Sequence, residues 1–150
     1  MKDLKYLRHW LRNVFDEALN SKELSEEQAT MYRSASMRLA YLSQDRPDLL
    51  VLGKELAKGL KKPTQAHFQA LKRGVRYLRS HPRLVHLFAN QDTFTQLEVW
   101  VDADHTGCIR SRKSTTGTVL RLGENTSRTT CKSQAVIALS SGESRVLWIG

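Results

Sequence analysis

The sequence predicts a mixed protein of α+β or α/β class. An all-helical first part precedes a three-stranded antiparallel meander and the start of one more helix. Three observations carry that prediction. Apolar residues recur at a spacing of about 3.6 as far as residue 80. From Leu84 onward the apolar period falls to two, the period of a strand. Turn clusters, Asn90-Gln91-Asp92 and Gly123-Glu124-Asn125, punctuate that second part.

A chain of 150 residues with 40% hydrophobic and 26% charged residues can bury a real core. No apolar run approaches the roughly 20 residues that cross a bilayer, and Met1-Lys2-Asp3-Leu4-Lys5 opens no signal-peptide core. The expectation is therefore no membrane partner and an intracellular location, cytoplasm and nucleus being indistinguishable. Cys108 and Cys131 are too few for a disulfide scaffold and lack paired zinc-ligand spacing, so they read as reduced, packed thiols. The net charge of +9 is uneven: residues 1–90 hold 17 basic and 9 acidic side chains, residues 91–150 hold 7 and 6. A basic segment joined to a near-neutral one suits a polyanion partner, although a lysine-rich solvated surface has the same composition.

Taken in order, Leu4, Leu7, Leu11, Val14, Phe15 and Ala18 predict an amphipathic helix over residues 3–19. Ser25-Glu26-Glu27-Gln28 matches a capping box opening a helix to about Ser43. Pro47 ends it, because the residue before a proline avoids helical geometry, and is at home in the next first turn. A third helix uses Leu49, Leu52, Leu56 and Leu60, and stops at Lys62-Pro63. Thr64 caps a fourth, with Phe68, Leu71, Val75 and Leu78 inward and Lys72, Arg73, Arg76 and Arg79 crowding one flank. Ser80-His81-Pro82 ends that helix. Leu84–Phe88 reads as a short strand or extended connector. Residues 97–104, about 117–123 and about 127–133 read as the meander, and Ser140-Ser141 opens the last helix. Three segments follow: 1–24, 25–90 and 91–150.

Asp102 and Asp104, two apart on a strand, emerge on one face with Trp100, while Leu97, Val99 and Val101 point to the other, toward a core. Paired carboxylates at a strand end can hold Mg²⁺, which prefers hard oxygen ligands; they also serve as turns or caps. Arg110, Arg112 and Lys113 with Ser114, Thr115 and Thr116 make a basic, hydroxyl-rich hairpin suited to phosphate contacts or simply to water. Glu143, in a first helical turn, also complements the helix dipole. His67, His81, His86 and His105 lack ligand spacing and read as structural.

Val101-Asp102-Ala103-Asp104, Arg112-Lys113-Ser114-Thr115-Thr116-Gly117, Lys132-Ser133-Gln134 and Ala138-Leu139-Ser140-Ser141-Gly142-Glu143 together closely resemble the RNase H domain of copia-type LTR retrotransposon Pol polyproteins. Tyr32-Arg33-Ser34, Asp45-Arg46-Pro47-Asp48, Lys62-Pro63-Thr64 and Leu71-Lys72-Arg73 resemble the helical region joining reverse transcriptase to RNase H in that family. The resemblance runs over about residues 25–150, in family order.

It implies hydrolysis of the RNA strand of an RNA–DNA hybrid, with Mg²⁺ held by four carboxylates. Asp102 matches the first-strand ligand, and Asp104 an aspartate beside it. Arg112, Lys113, Lys132 and Gln134 fall on motif positions that would face the nucleic-acid backbone. The family's last motif continues Gly-Glu-Ala-Glu-Tyr, its second Glu being a metal ligand. Here the run is Gly142-Glu143-Ser144-Arg145-Val146, so Arg145 stands where that ligand belongs. Glu143, about 200° round the helix, cannot replace it. His105 and Thr130 stand at positions usually tryptophan in the family. The chain ends before the later aspartates and leaves the sheet uncovered on one face. The expectations are an incomplete RNase H-like unit behind a helical connector, no stable Mg²⁺ and no intrinsic nuclease activity. The partners expected are an RNA–DNA hybrid or other nucleic acid and the remainder of a Pol polyprotein, and the alternative readings are a non-catalytic nucleic-acid-binding remnant and a decayed reading frame without function.

Overall fold

A computed structural model describes residues 21–93, 96–104, 108 and 111–146. The helix expected over residues 3–19, together with His105, Gly107 and Arg110, lies outside the described residues. The chain divides into two units, the first ending at Leu84 and the second beginning at Val85.

In the first unit α1 spans Glu26–Leu42. Ser25 caps it, its Oγ accepting the Gln28 N–H at 3.4 Å, while the Gln28 side-chain oxygen accepts from Gln65 instead of closing the box. Pro47 opens a 3₁₀ turn, Pro47–Leu49, that runs into α2, Leu50–Lys58. Then α3 spans Gln65–Ser80. Its cap is reciprocal: the Thr64 side chain meets the His67 backbone, and the Thr64 N–H donates to His67 Nδ1 at 3.2 Å. His67 thus takes the place glutamate or glutamine fills in most capping boxes.

The three helices close on Tyr32, Leu39, Leu49, Leu52, Leu56, Ala70 and Leu71. Each buried leucine contributes about 1.5–3 kcal/mol. Close approach of α2 to α3 requires Gly74, where an added Cβ would stand 2.4 Å from Leu52 Cδ2. From α1, the Tyr32 hydroxyl donates to Leu56 O at 2.7 Å and Arg33 Nε to Leu60 O at 3.1 Å. Both tie α1 to the C-terminal end of α2, the first as a second bond to a carbonyl in its last turn and the second just past its end. One inward assignment is corrected: Val75 is 45% exposed, because α3 turns that residue into an open groove beside α1.

The second unit holds β1 (Leu97–Asp104), β2 (Thr115–Leu122) and β3 (Asn125–Ser133), antiparallel in the order β1-β2-β3. Asp102 pairs with Gly117, and Gly117 with Cys131. The strands β2 and β3 begin two residues earlier than their sequence pattern predicts, since Thr115 and Thr116 are good strand formers. A two-residue loop, Gly123-Glu124, joins them. Gly123 takes φ 58, and a Cβ there would strike Gln91 Oε1 at 2.0 Å. That oxygen accepts the Glu124 N–H at 3.0 Å.

Of the two readings of Leu84–Phe88, the extended connector holds: the segment forms no ladder and stands exposed. Ala89 joins it to the sheet, its N–H donating to Asn125 Oδ1 at 2.7 Å and its carbonyl accepting from Asn125 Nδ2 at 2.9 Å. One further expectation is corrected: Leu97 and Val99 do not face a core but are 66% and 49% exposed. Among the described residues, the buried positions of this unit are instead Ser114, Thr116, Thr118, Ala138 and Ser144. A short helix, α4 (Ser141–Val146), lies against β1. Gln134 anchors it, donating through Nε2 to Thr116 Oγ1 at 2.8 Å and to the Ser144 carbonyl. At the other end Leu97 stays exposed, while Ala89 and Gln91 meet the turn between β2 and β3.

Candidate nucleic-acid interface

Four cations share the helix α3. Lys72, Arg76 and Arg79 recur at helical spacing, so they form one stripe, with Arg73 beside it. All four are exposed. The helix contains no Asp or Glu, so nothing on α3 itself offsets the four cations. Lys72 Nζ sits 4.8 Å from the Phe68 ring centre, a cation–π contact that orients the ammonium along the helix.

A buried clasp fixes the far end of this helix. Arg46 Nε and Nη2 donate to Asp48 Oδ1 and Oδ2 at 3.0 and 2.8 Å, a bidentate pair. Arg46 Nη2 also donates to the His81 carbonyl at 3.0 Å. The Tyr77 hydroxyl donates to Asp48 Oδ2 at 2.9 Å, and its ring stacks on His81 at 4.6 Å. The pair's side chains are 9% and 7% exposed. Burial pushes the Asp48 carboxyl up, but hydrogen bonds from Arg46 and Tyr77 and the guanidinium charge outweigh it, leaving Asp48 below its ordinary value. The hydrogen bond to Asp48 raises Arg46 further above the range in which it loses its proton. The Asp45–Asp48 run was legible as a helix stop; its hydrogen bonds with Tyr77 and with the His81 carbonyl, some thirty positions away, were not.

In the second unit, Asp102 and Asp104 are exposed and alternate onto the face opposite Thr116 and Thr118. Gln134 ties α4 to the Thr116 face, so the paired acids and the helix anchor lie on opposite faces. Glu143 does not turn toward the strand. Its Oε2 accepts the Leu139 N–H at 2.7 Å, while its own N–H donates to Ser140 Oγ at 3.1 Å. It therefore caps the helix it starts. Arg145 follows two positions later in the same helix. Among the described residues no three His, Cys, Asp or Glu side chains converge as a metal-binding group.

Of the basic hairpin, Arg112 is exposed and takes φ 53, left-handed geometry that costs a non-glycine residue about 1–2 kcal/mol. The turn is closed by Arg112 N–H to Cys108 O at 2.7 Å and Cys108 N–H to Lys113 O at 3.2 Å. Lys113 is half-buried and Lys132 is exposed. Gln134 is engaged inside the unit, as its two hydrogen bonds show. The structure thus keeps Lys72, Arg73, Arg76 and Arg79 together, and separately sets Asp102 beside Asp104.

Similarity to known proteins covers about three quarters of the chain. It is 32% identical over 113 residues to an uncharacterised mitochondrial protein of Arabidopsis thaliana, covering 75% of this chain and 46% of that protein. It is 34% identical over 114 residues to the retrovirus-related Pol polyprotein from transposon RE1 of the same plant, covering 76% of this chain and 8% of the polyprotein. It is 36% identical over 113 residues to the secreted RxLR effector protein 161 of Plasmopara viticola, covering 75% of this chain and 79% of that protein. The alignment thus spans about half of the first relative and under a tenth of the second. No family model matches the chain, and no solved structure matches it significantly.

Proposed function

The chain belongs to the copia-type retrotransposon Pol family, and on that premise we propose that it is the connector and RNase H-like part of such a polyprotein, engaging an RNA–DNA hybrid without cutting it. The observation that carries the binding half is α3, with four exposed cations and no carboxylate. Phosphate neutralisation by such a stripe gives sequence-independent, salt-sensitive affinity.

The RNase H-like reading is supported by the antiparallel order β1-β2-β3, by Asp102 on β1 and by α4 against that strand. The silent half rests on the donor set. Mg²⁺ would have Asp102 and Asp104 as its protein ligands, and two exposed carboxylates on one strand make only a loose, water-rich site. Two-metal hydrolysis needs carboxylates that bridge and clamp both ions. Glu143 is engaged in capping, and Arg145 brings a cation where the family has a ligand. The residues present do not fit a two-ion site.

The binding half is tested with a fluorescent RNA–DNA hybrid titrated by the full chain at several salt concentrations. Affinity that falls steeply with salt and collapses in Lys72→Glu/Arg76→Glu supports it. Salt-independent binding, or binding untouched by that double variant, overturns it.

A further inference from the structure

Between α1 and α3 the first unit carries an open groove with an apolar floor. Met31, Ala35 and Leu42 line it from α1, and Leu71, Val75 and Leu78 from α3. Met31 and Val75 are 61% and 45% exposed, so apolar side chains of both walls reach solvent. From Met31 to Leu42 the lined length is about 17 Å, about three turns of helix. Single exposed apolar side chains are ordinary, but a contiguous apolar patch with a polar rim marks an interaction surface.

The rim of this groove is cationic. Arg38, on the α1 wall itself, is exposed and makes no hydrogen bond or ion pair among the described residues. On α3, Lys72 stands three residues before Val75 and Arg79 four after it, the spacing that places all three on one side of the helix. No Asp or Glu is among the described residues that line the groove.

We propose that the groove seats an amphipathic helix of a partner protein, one that carries carboxylates on both flanks of its apolar stripe. The valley between two packed helices receives the side-chain ridge of a third. Apolar residues at i, i+3, i+4 and i+7 of that helix lie along the floor. Carboxylates beside them reach Arg38 on one wall and Lys72 and Arg79 on the other. The same charges argue against two other occupants. A second copy packed groove to groove is isologous, which sets Arg38, Lys72 and Arg79 of each copy against like charges. A phosphate backbone matches the rim but has no apolar face to lay on the floor.

The test uses the full chain and a fluorescein-labelled model helix of about 18 residues, long enough to form turns over the whole groove. It carries leucine at i, i+3, i+4 and i+7, glutamate on either flank of that stripe and alanine elsewhere; a scrambled peptide of the same composition is the control. Fluorescence anisotropy should show saturable binding of the patterned peptide, at least about tenfold tighter than the scrambled one. Val75→Asn, an uncharged change at an exposed position, should weaken the patterned peptide at least about fivefold, with circular dichroism reporting an intact fold, and Arg38→Glu should do the same. No nucleic acid is present, so the result is independent of hybrid binding. Absence of saturable binding up to about 1 mM overturns the proposal, as does equal binding of the two peptides or binding untouched by Val75→Asn. So does a chain that self-associates in sedimentation until Val75→Asn separates it, since that result assigns the groove to a second copy.

Discussion

The Tyr77 hydroxyl reaches across 29 residues to donate a hydrogen bond to Asp48 at 2.9 Å. It does so beside a bidentate bridge from Arg46. Through that contact the basic helix α3 is tied at its end to the turn that follows α1, so the stripe of cations stands on a fixed support. Removing one member of a buried, hydrogen-bonded pair leaves the other charge without its partner. Arg46→Ala or Asp48→Asn should therefore cost about 3 kcal/mol of the first unit's stability, measured as a shift in urea midpoint. The pH dependence has a definite sign. Asp48 sits below its ordinary value in the fold, so its contribution is complete above about pH 4 and is lost as pH falls through the lowered folded value. Acid titration of Asp48→Asn should lack that component.

Tyr32 gives the opposite signature. Burial, only partly countered by the nearby Ser36 hydroxyl, pushes its hydroxyl up to about 12 from 10.0. A raised folded value means that the contribution is whole below pH 10 and is lost as pH rises toward 12. Unfolding followed by circular dichroism should begin in that window. Tyr32→Phe should remove the alkaline step and cost about 1 kcal/mol at neutral pH, since the Leu56 carbonyl keeps its bond from the Gly59 N–H.

Gly123 is doubly constrained by its φ of 58 and by Gln91 pressed against it. Gly123→Ala should destabilise the second unit by about 2 kcal/mol or more. Gly123→Ala/Gln91→Ala should recover the steric part and leave the backbone part. A double-mutant cycle on thermal midpoints reads the difference.

Lys72→Ala/Arg76→Ala should lower the slope of log affinity against log salt by about 2 for a hybrid, one for each lost phosphate contact. Gln134→Ala should behave differently. Because its amide bridges Thr116 and the Ser144 carbonyl, its loss should lower the second unit's thermal midpoint and leave that slope unchanged.

Much of the helical part was legible because its signals are local. Ser25 and Thr64 cap where they should, Pro47 stops α1, and the leucines of α2 fall on the buried face. The clasp of Arg46, Asp48 and Tyr77 was not legible, since Tyr77 comes from α3, 29 residues beyond Asp48, and no spacing rule joins it to the turn after α1. Strand existence in the second unit followed from alternation, but alternation says only that Leu97 and Val99 share a face, not that the face is covered. Glu143 was readable as a first-turn acid that complements the helix dipole. That reading competes directly with a metal role, and the hydrogen bond to Leu139 favours the cap. Gln134, placed by motif among the nucleic-acid contacts, also holds α4, a tertiary bond that a linear motif does not reveal.

The central claim, binding without hydrolysis, is tested most directly by one measurement. The full chain, at a concentration that saturates a labelled RNA–DNA hybrid, is incubated with Mg²⁺ and the RNA strand is resolved by length. The account predicts a bound, uncut RNA strand, identical for the unmodified chain and for Asp102→Asn. Mg²⁺-dependent shortening of the RNA that disappears in Asp102→Asn would contradict it.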